Sequence, residues 1–260
     1  MKLLFSEYKS DYSHYIFPYV IWAFPEEEET PADLFAAGFL PSTRTLDRFY
    51  MCRHVRVALP LFSPSSENRR VLRKGEGLEC TLVPRSDFNY TSERREFCKS
   101  YADRRFGPNA MPYERLDSLF TSPVCSHVMS FTEEEREVGL IVLYLQPPRA
   151  AFYYYAFYDL ELKSRNLGMY MMTRAVVEFA GRGFEYIYLG SCYSRNALYK
   201  TQFVGFEFWN GFRWSSDLEE LKYLIDRDAG EIDKHLLENP EFADRFYPHG
   251  WGSWAGKLSR

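Results

Sequence analysis

The stretch Ala150-Ala-Phe-Tyr-Tyr-Tyr-Ala-Phe-Tyr158, followed by Arg165-Asn-Leu-Gly-Met-Tyr170 and then by Tyr186-Ile-Tyr-Leu189, decides the fold. The first segment is dominated by aromatic residues and reads as a strand. From about Leu167 to Ala180, apolar side chains including Leu167, Tyr170 and Met171 recur at helical spacing, and Gly181-Arg182-Gly183 closes that helix. Tyr186 to Leu189 is the next strand. Just upstream, Val138 to Leu145 is a continuous apolar strand that Gln146-Pro-Pro-Arg149 turns into Ala150, so the two form a hairpin. Downstream, Asn196 to Phe203 reads as a second helix and Gly205 to Trp209 as a last strand. The order is β-β-α-β-α-β.

Outward from this unit the signals are more local. Thr30-Pro31-Ala32-Asp33 carries an N-cap, a first-position proline and a first-turn acid, which predict a short helix ending at Gly38. Val55, Val57, Leu59 and Leu61 alternate with other residues, which predicts a half-buried strand from His54 to Leu61. A polar turn is expected at Ser63 to Ser66. Leu78, Cys80 and Leu82 repeat the alternation, and Ser92 to Phe106 predicts a helix with Phe97 and Tyr101 on one face. Beyond Trp214, Leu218, Leu221, Leu224 and Ile225 predict an acidic amphipathic helix, with a second around Ile232 to Leu237. Trp251 and Trp254 are expected to pack back on the body. The expected division is 1–110, 111–215 and an acidic helical extension over 216–260.

A chain of 260 residues that is 46% hydrophobic can bury its own core without metal or disulfide staples. Its 20 Tyr and 22 Phe must supply core and groove walls, because a surface cannot carry them all. The five cysteines, Cys52, Cys80, Cys98, Cys125 and Cys192, form no local Cys-x-x-Cys clamp, so reduced thiols and no metal are expected. The first residues turn polar too soon for a secretory signal, and no apolar run reaches the length a membrane helix needs, which predicts a cytoplasmic protein without a membrane partner. The formal net charge of -4 argues against a general nucleic-acid binder, and DNA is not expected as a partner. The charge is uneven, however. Residues 40–110 carry 14 Lys and Arg against 8 Asp and Glu, and residues 215–247 carry 4 against 10. The basic middle is either an anion-binding face or solvated surface charge.

Two segments carry chemistry. Arg165-Asn166-Leu167-Gly168-Met169-Tyr170 lies between strand and helix, where a helix N-terminus can present free amides to an anionic donor. It resembles the Arg/Gln-x-x-Gly-x-Gly/Ala mark of the GNAT acyltransferases, with Gly168 permitting close approach and Tyr170 crowding the place of a coenzyme A pyrophosphate. Asn196-Ala-Leu-Tyr199-Lys200, then Val204-Gly-Phe-Glu207, resembles the segment in which GNAT enzymes place a tyrosine acid. The implied fold class is α/β (α+β): a GNAT-like C-terminal half whose two central strands splay apart, with a smaller N-terminal α/β domain that is either independent or a divergent second unit.

A narrower resemblance is to the arginyl/leucyl-tRNA-protein transferases. Their C-terminal motifs are matched in order by Phe157-Tyr158-Asp159-Leu160-Glu161, Asn166-Leu167-Gly168, Tyr188-Leu189-Gly190 and Leu198-Tyr199-Lys200. N-terminal echoes are Gly38-Phe39, Cys52-Arg-His-Val-Arg56-Val57, Phe62-Ser-Pro-Ser65 running to Arg69-Arg70, and Tyr101-Ala-Asp-Arg104-Arg105. Leu160 stands where the family has proline, Arg105 where it has histidine, and the family's extra cysteines are absent. The resemblance implies transfer of arginine or leucine from charged tRNA to a protein amine, with an acidic N-terminus as acceptor and no cofactor. In that reading Tyr199 donates a proton to the leaving group and Lys200 contacts phosphate or raises the local potential. Arg56, Arg69 and Arg70 contact acceptor-stem phosphate or an acidic side chain, Arg165 and Gly168 belong to the donor loop, and Tyr158 to the binding groove. Asp159 either binds an amine or caps the following turn. Tyr199 has the alternative of a core-facing helix tyrosine, the arginines that of surface charge, and Tyr154 and Phe157 that of core packing over groove wall. His54 and His127 are read as structural. Two other functions stay open: an N-acyltransferase using acetyl-CoA, and a non-catalytic relative that binds tRNA or protein.

Overall fold

A computed structural model describes residues 1–162 and 165–254. An antiparallel hairpin, β1 (Lys2–Glu7) and β2 (Tyr19–Phe24), leads to α1 (Pro31–Ala36), then β3 (Phe39–Pro41) and β4 (Phe49–Met51), and these strands form a small sheet in the order β1-β2-β4-β3. Helix α1 starts where Thr30 and Asp33 close a reciprocal capping box with Pro31 at the first position. Next come β5 (His54–Ala58), α2 (Ser66–Lys74), β6 (Glu79–Pro84), α3 (Ser92–Phe106), α4 (Tyr113–Thr121), β7 (His127–Glu133), β8 (Arg136–Gln146) and β9 (Ala150–Tyr158). The rest is α5 (Leu167–Gly181), β10 (Tyr186–Ser191), a 3-10 segment at Arg195–Thr201, β11 (Phe206–Trp209), β12 (Trp214–Ser215), α6 (Leu218–Asp228) and α7 (Pro240–Phe246).

The large sheet has eight strands in the order β12-β11-β5-β10-β9-β8-β7-β6, so it takes strands from both sides of residue 110. Only β9 and β10 run parallel, joined across α5, while every other neighbouring pair is antiparallel. Helices α2 and α5 pack together, and α5 carries Leu167, Met171, Ala175, Val176 and Phe179 into the largest core cluster. Helices α3 and α4 cover another part of the sheet with a second cluster built on Tyr101, Leu116, Phe120 and Phe157. The sheet is therefore covered on both faces, which is why β8 and β9 are buried and apolar along most of their length.

The differences from the sequence reading have physical causes. Strand β5 was expected to be half-buried, but all five of its residues are buried because it lies between β10 and β11 rather than at an edge. Its chain then turns into a 3-10 segment at Leu59–Leu61. The polar turn at Ser63 to Ser66 is the start of α2, capped by Ser65 accepting from the Asn68 amide and by Asn68 reaching back. Residues 196–203 form a 3-10 segment over Arg195–Thr201 instead of an α-helix. The helix expected at Ile232 to Leu237 lies later, as α7, where Asn239 caps and Pro240 starts it. Trp251 does pack back, stacked on Phe242 at 5.9 Å and tilted against Tyr247 at 4.8 Å. Under this cap, buried Glu220 accepts hydrogen bonds from Asn210, Ser215 and Tyr247.

Candidate active site

The two parallel strands pair only over Tyr186 to Tyr188 against Ala150 to Phe152. At that point both lose register. Strand β9 is bulged between Tyr153 and Tyr155, its partners Leu143 and Val142 on β8 being consecutive, and β10 shifts against β5 between Tyr188 and Gly190. A bulge bends a strand and re-aims its side chains, so these two, side by side, part the sheet. The result is a cleft of about 540 Å³. Its walls are Tyr153 to Ala156 and Tyr158 from β9, and Leu189, Gly190 and Ser191 from β10. Asn166, Gly168, Met169 and Met172 come from the start of α5, Tyr101, Arg105 and Phe106 from the end of α3, and Tyr199 and Lys200 from the 3-10 segment.

Gly168 is needed here for a steric reason. A Cβ at this position would lie 2.8 Å from Cζ and the hydroxyl of Tyr158, whose ring rests on the helix start. Asn166, just before the helix, is left-handed with φ 48°, a conformation that asparagine tolerates better than most residues. Gly190 has φ +83°, a left-handed conformation that favours glycine, and the Lys200 ammonium lies 3.6 Å from where a Cβ would stand. Lys200 Nζ donates to the Ser191 carbonyl at 2.8 Å. Burial lowers its pKa, while the neighbouring Cys192 and Cys52 oppose that shift.

Four tyrosines, Tyr101, Tyr153, Tyr158 and Tyr199, line the same cleft as this lysine. Tyr101 and Tyr158 have ring centroids 4.8 Å apart, and burial followed by the neighbouring Tyr158 raises the Tyr101 phenol. Tyr153 is buried and its phenol is pushed well up by that burial. Tyr199 is about half exposed at 48%; burial raises its pKa and nearby Tyr158 adds to the rise, with Arg105 opposing. A phenol with a raised pKa keeps its proton at neutral pH and can donate it. The cleft's two cations are Arg105 and Lys200, and no carboxylate is among its lining residues. Among the described residues, Arg105 has neither an ion pair nor a hydrogen-bond partner.

Of the residues singled out from sequence, Tyr199, Lys200, Tyr158 and Gly168 meet in the cleft. The others do not. Asp159 caps a turn, accepting from the Glu161 amide at 2.8 Å and from Arg136 at 2.9 Å. Arg56 is buried, its guanidinium 3.9 Å from the Tyr186 ring and 3.8 Å from Trp214, with Nε donating to Glu207 at 2.7 Å. Arg69 donates to the Pro64 carbonyl and Arg70 forms a two-pronged pair with Glu67 on exposed α2. Arg165 ties the approach to α5 onto Glu133 at 2.5 Å and onto the Glu76 carbonyl. Tyr170 lies away from the helix start, packed on Phe131 and against Gly75, so Tyr158 and not Tyr170 covers the first turn of α5. Phe106, Tyr153, Tyr155, Ala156, Met172 and Ser191 are cleft residues to which sequence gave no role, while Tyr101, Asn166 and Gly190 appeared there only inside motifs. Fully buried His54, with His127 on β7, lies outside the cleft.

All five cysteines are free, and among the described residues no group of three or more His, Cys, Asp and Glu side chains is placed to hold a metal. Among the same residues no helix is long and apolar enough to cross a membrane.

Comparison with known proteins finds similarity over the segment that holds this site. Residues 93–210 match the family described as arginine-tRNA-protein transferase, C terminus, a span that contains α3, both parting strands and the Tyr199-Lys200 segment. The chain is 27% identical over 205 residues to an aspartate/glutamate leucyltransferase of Pseudomonas paraeruginosa, covering 73% of this chain and 84% of that one. It is 24% identical over 202 residues to the protein of the same name from Ruegeria pomeroyi, covering 75% and 70%. Among solved structures, FemX overlaps with a TM-score of 0.41 at 10% identity, covering 62% of this chain and 59% of that one. L-PGS from Bacillus licheniformis overlaps with a TM-score of 0.39 at 13% identity, covering 54% and 46%. The parallel pair and its parting point fall inside the span over which the chain is similar to the arginine-tRNA-protein transferase C-terminal family.

Proposed function

We propose that this protein moves leucine from charged tRNA onto the α-amine of a protein whose first residue is acidic. The observation that carries this reading is the cleft at the strand parting, walled by aromatic rings and holding two cations without a carboxylate. An arginine donor would bring a guanidinium into a site that has no anion to receive it, at a desolvation cost of several kcal/mol in order of magnitude. A leucine side chain asks only for apolar wall. The same two cations favour the anionic partners, namely the phosphate next to the tRNA terminus and the acidic side chain of the acceptor. Relatives named aspartate/glutamate leucyltransferase support this choice.

The chemistry needs no covalent nucleophile, because an aminoacyl ester is already activated. The cleft has to hold ester and amine together, stabilise the oxyanion and return a proton to the ribose oxygen. Lys200, fixed by Ser191 and pointing past Gly190, is assigned to the oxyanion. Tyr199 is assigned to the leaving oxygen, and its phenol can relay the proton that the amine nitrogen loses on forming the amide. Tyr158 and Tyr101 form the wall that orients both. Gly168 contributes by letting Tyr158 lie against α5, which also closes the place where an acyl-CoA pyrophosphate would sit. That closure disfavours an acyl-CoA donor.

The test is incubation with labelled leucyl-tRNA or arginyl-tRNA and peptides that begin with Asp, Glu or Ala. Leucine should appear on the Asp and Glu peptides. Transfer from arginyl-tRNA alone would overturn the donor assignment, and labelling of the Ala peptide at an equal rate the acceptor assignment. Absence of transfer from either tRNA would overturn the reading as a whole.

A further inference from the structure

Part of the cleft's lining is made of aromatic rings that the acyl-transfer chemistry does not use. Phe106, at the end of α3, is 50% exposed. Its ring lies 6.4 Å from Tyr155, which lies 5.9 Å from Tyr154. The β9 bulge falls at Tyr154, between Tyr153 and Tyr155. Cations border the row: Arg105 at the cleft mouth, with Arg44 and Arg115 near both tyrosines. Burial raises the two phenols, and both guanidinium groups oppose that rise. Arg44 Nε is buried without a hydrogen-bond partner among the described residues, a donor with its place in a network unfilled. Among the described residues Arg105 makes no ion pair or hydrogen bond, and the Arg115 guanidinium reaches only the Ala110 carbonyl, at 3.3 Å.

We propose that Phe106, Tyr155 and Tyr154, bordered by Arg44, Arg105 and Arg115, form a stacking shelf for the unpaired 3′ end of an RNA strand, which it feeds into the cleft. The direction of the strand rests on the aminoacyl-tRNA reading above. Rings in a row beside unneutralised arginines are what a flexible single strand needs: flat partners for its bases and charge for its phosphates. A peptide offers few flat groups to fill such a row. An acidic peptide is therefore left to the interior of the cleft, and the shelf is given to nucleic acid.

Binding of uncharged tRNA, and of the same tRNA trimmed of its unpaired 3′ nucleotides, is measured by fluorescence anisotropy at several salt concentrations. For intact tRNA, Phe106→Ala should weaken binding about tenfold. Arg115→Ala, at an exposed position on α4, should flatten the slope of log K against log salt by about 0.7. Neither penalty should appear with trimmed tRNA. Melting temperature identifies a variant that fails to fold, and Arg115→Ala carries the test if Phe106→Ala does so. Equal affinity and slope for both variants, or equal penalties on trimmed and intact tRNA, overturn the shelf. So does a loss confined to acidic-peptide binding. If the variants lose tRNA binding as expected while the wild-type protein transfers no amino acid, the shelf stands and the transferase reading falls. Undiminished transfer by both variants at low tRNA concentration means the reverse.

Discussion

His54 should make this protein acid-sensitive, and the size of the effect can be worked out from its surroundings. The ring is wholly buried, between Trp214 at 5.0 Å and Tyr188 at 6.0 Å. Because a carbonyl only accepts, Nδ1 must be the protonated nitrogen that donates to Cys52 O at 2.9 Å. Nε2 is then a buried lone pair with no partner among the described residues. Adding a proton there would place a third cation beside Arg56 and Lys200. Burial, and then those two charges, push its pKa down to about 3 from an ordinary 6.5, against the opposing pull of the Cys52 carbonyl. The folded value is the lower one, so the unfolded chain takes up a proton that the folded chain refuses. The stabilisation is therefore complete above about pH 6.5 and is lost as pH falls towards 3. Between pH 7 and pH 4 the loss from this one group is about 3 kcal/mol. His54→Phe keeps a ring in place but loses the bond to Cys52, which costs about 1 kcal/mol. The variant should therefore be the less stable protein at pH 7, equal the wild type near about pH 6 and exceed it by about 2 kcal/mol at pH 4. Urea unfolding followed by tryptophan fluorescence at half-unit pH steps measures both proteins, and carboxylates common to the two cancel in the difference. A difference that stays constant from pH 7 to pH 4 would refute the reasoning.

Other substitutions separate chemistry from architecture. Tyr199→Phe should lower the transfer rate by about 10²- to 10⁴-fold with little change in KM or melting temperature, since the side chain is half exposed. In steady-state kinetics, a rise in KM alone would point to a binding role. Gly168→Ala should cost about 1–3 kcal/mol, because the new methyl group meets the Tyr158 ring at 2.8 Å, and thermal unfolding reads it directly. Arg56→Ala should destabilise by about 3–5 kcal/mol, since it strands Glu207 and empties the slot between Tyr186 and Trp214. Affinity for tRNA, measured on the folded protein, should stay unchanged.

What sequence could reveal divides along the range of the interactions. The Val138–Leu145 and Ala150–Tyr158 hairpin, the α5 helix and its closing glycines are local patterns, and they appear where periodicity places them. Tyr158, Gly168, Tyr199 and Lys200 were legible because they sit in ordered motifs that the chain preserves. Arginines were not. Nothing local distinguishes Arg56, held in an aromatic slot by residues more than a hundred positions away, from Arg105, left free at the cleft. Residue type predicts what a guanidinium can do, and only packing decides whether it is already occupied. Strand β5 was misjudged as half-buried for the same reason, because its place between β10 and β11 is a fact of topology.

That place also explains how the sheet can part at all. A strand that leaves its neighbour exposes a row of backbone donors and acceptors, which is costly in a buried interior. Strand β10 can leave β9 after Tyr188 because β5 keeps pairing on its other side through Gly190 and Ser191. Beyond its bulge β9 stays paired to β8 as far as Tyr158. Each wall of the wedge thus retains one partner and releases only its inner edge, and Lys200 satisfies one of the freed groups by donating to Ser191 O. The remaining inner-edge groups face a space lined with phenols and one buried ammonium, so the backbone left unpaired by the parting is what a substrate's own amide or ester can engage. A single extra residue in each strand, at Tyr154 and Leu189, is enough to turn a continuous sheet into a binding site, and deleting either residue should close the cleft while leaving the outer strands β6 to β8 paired.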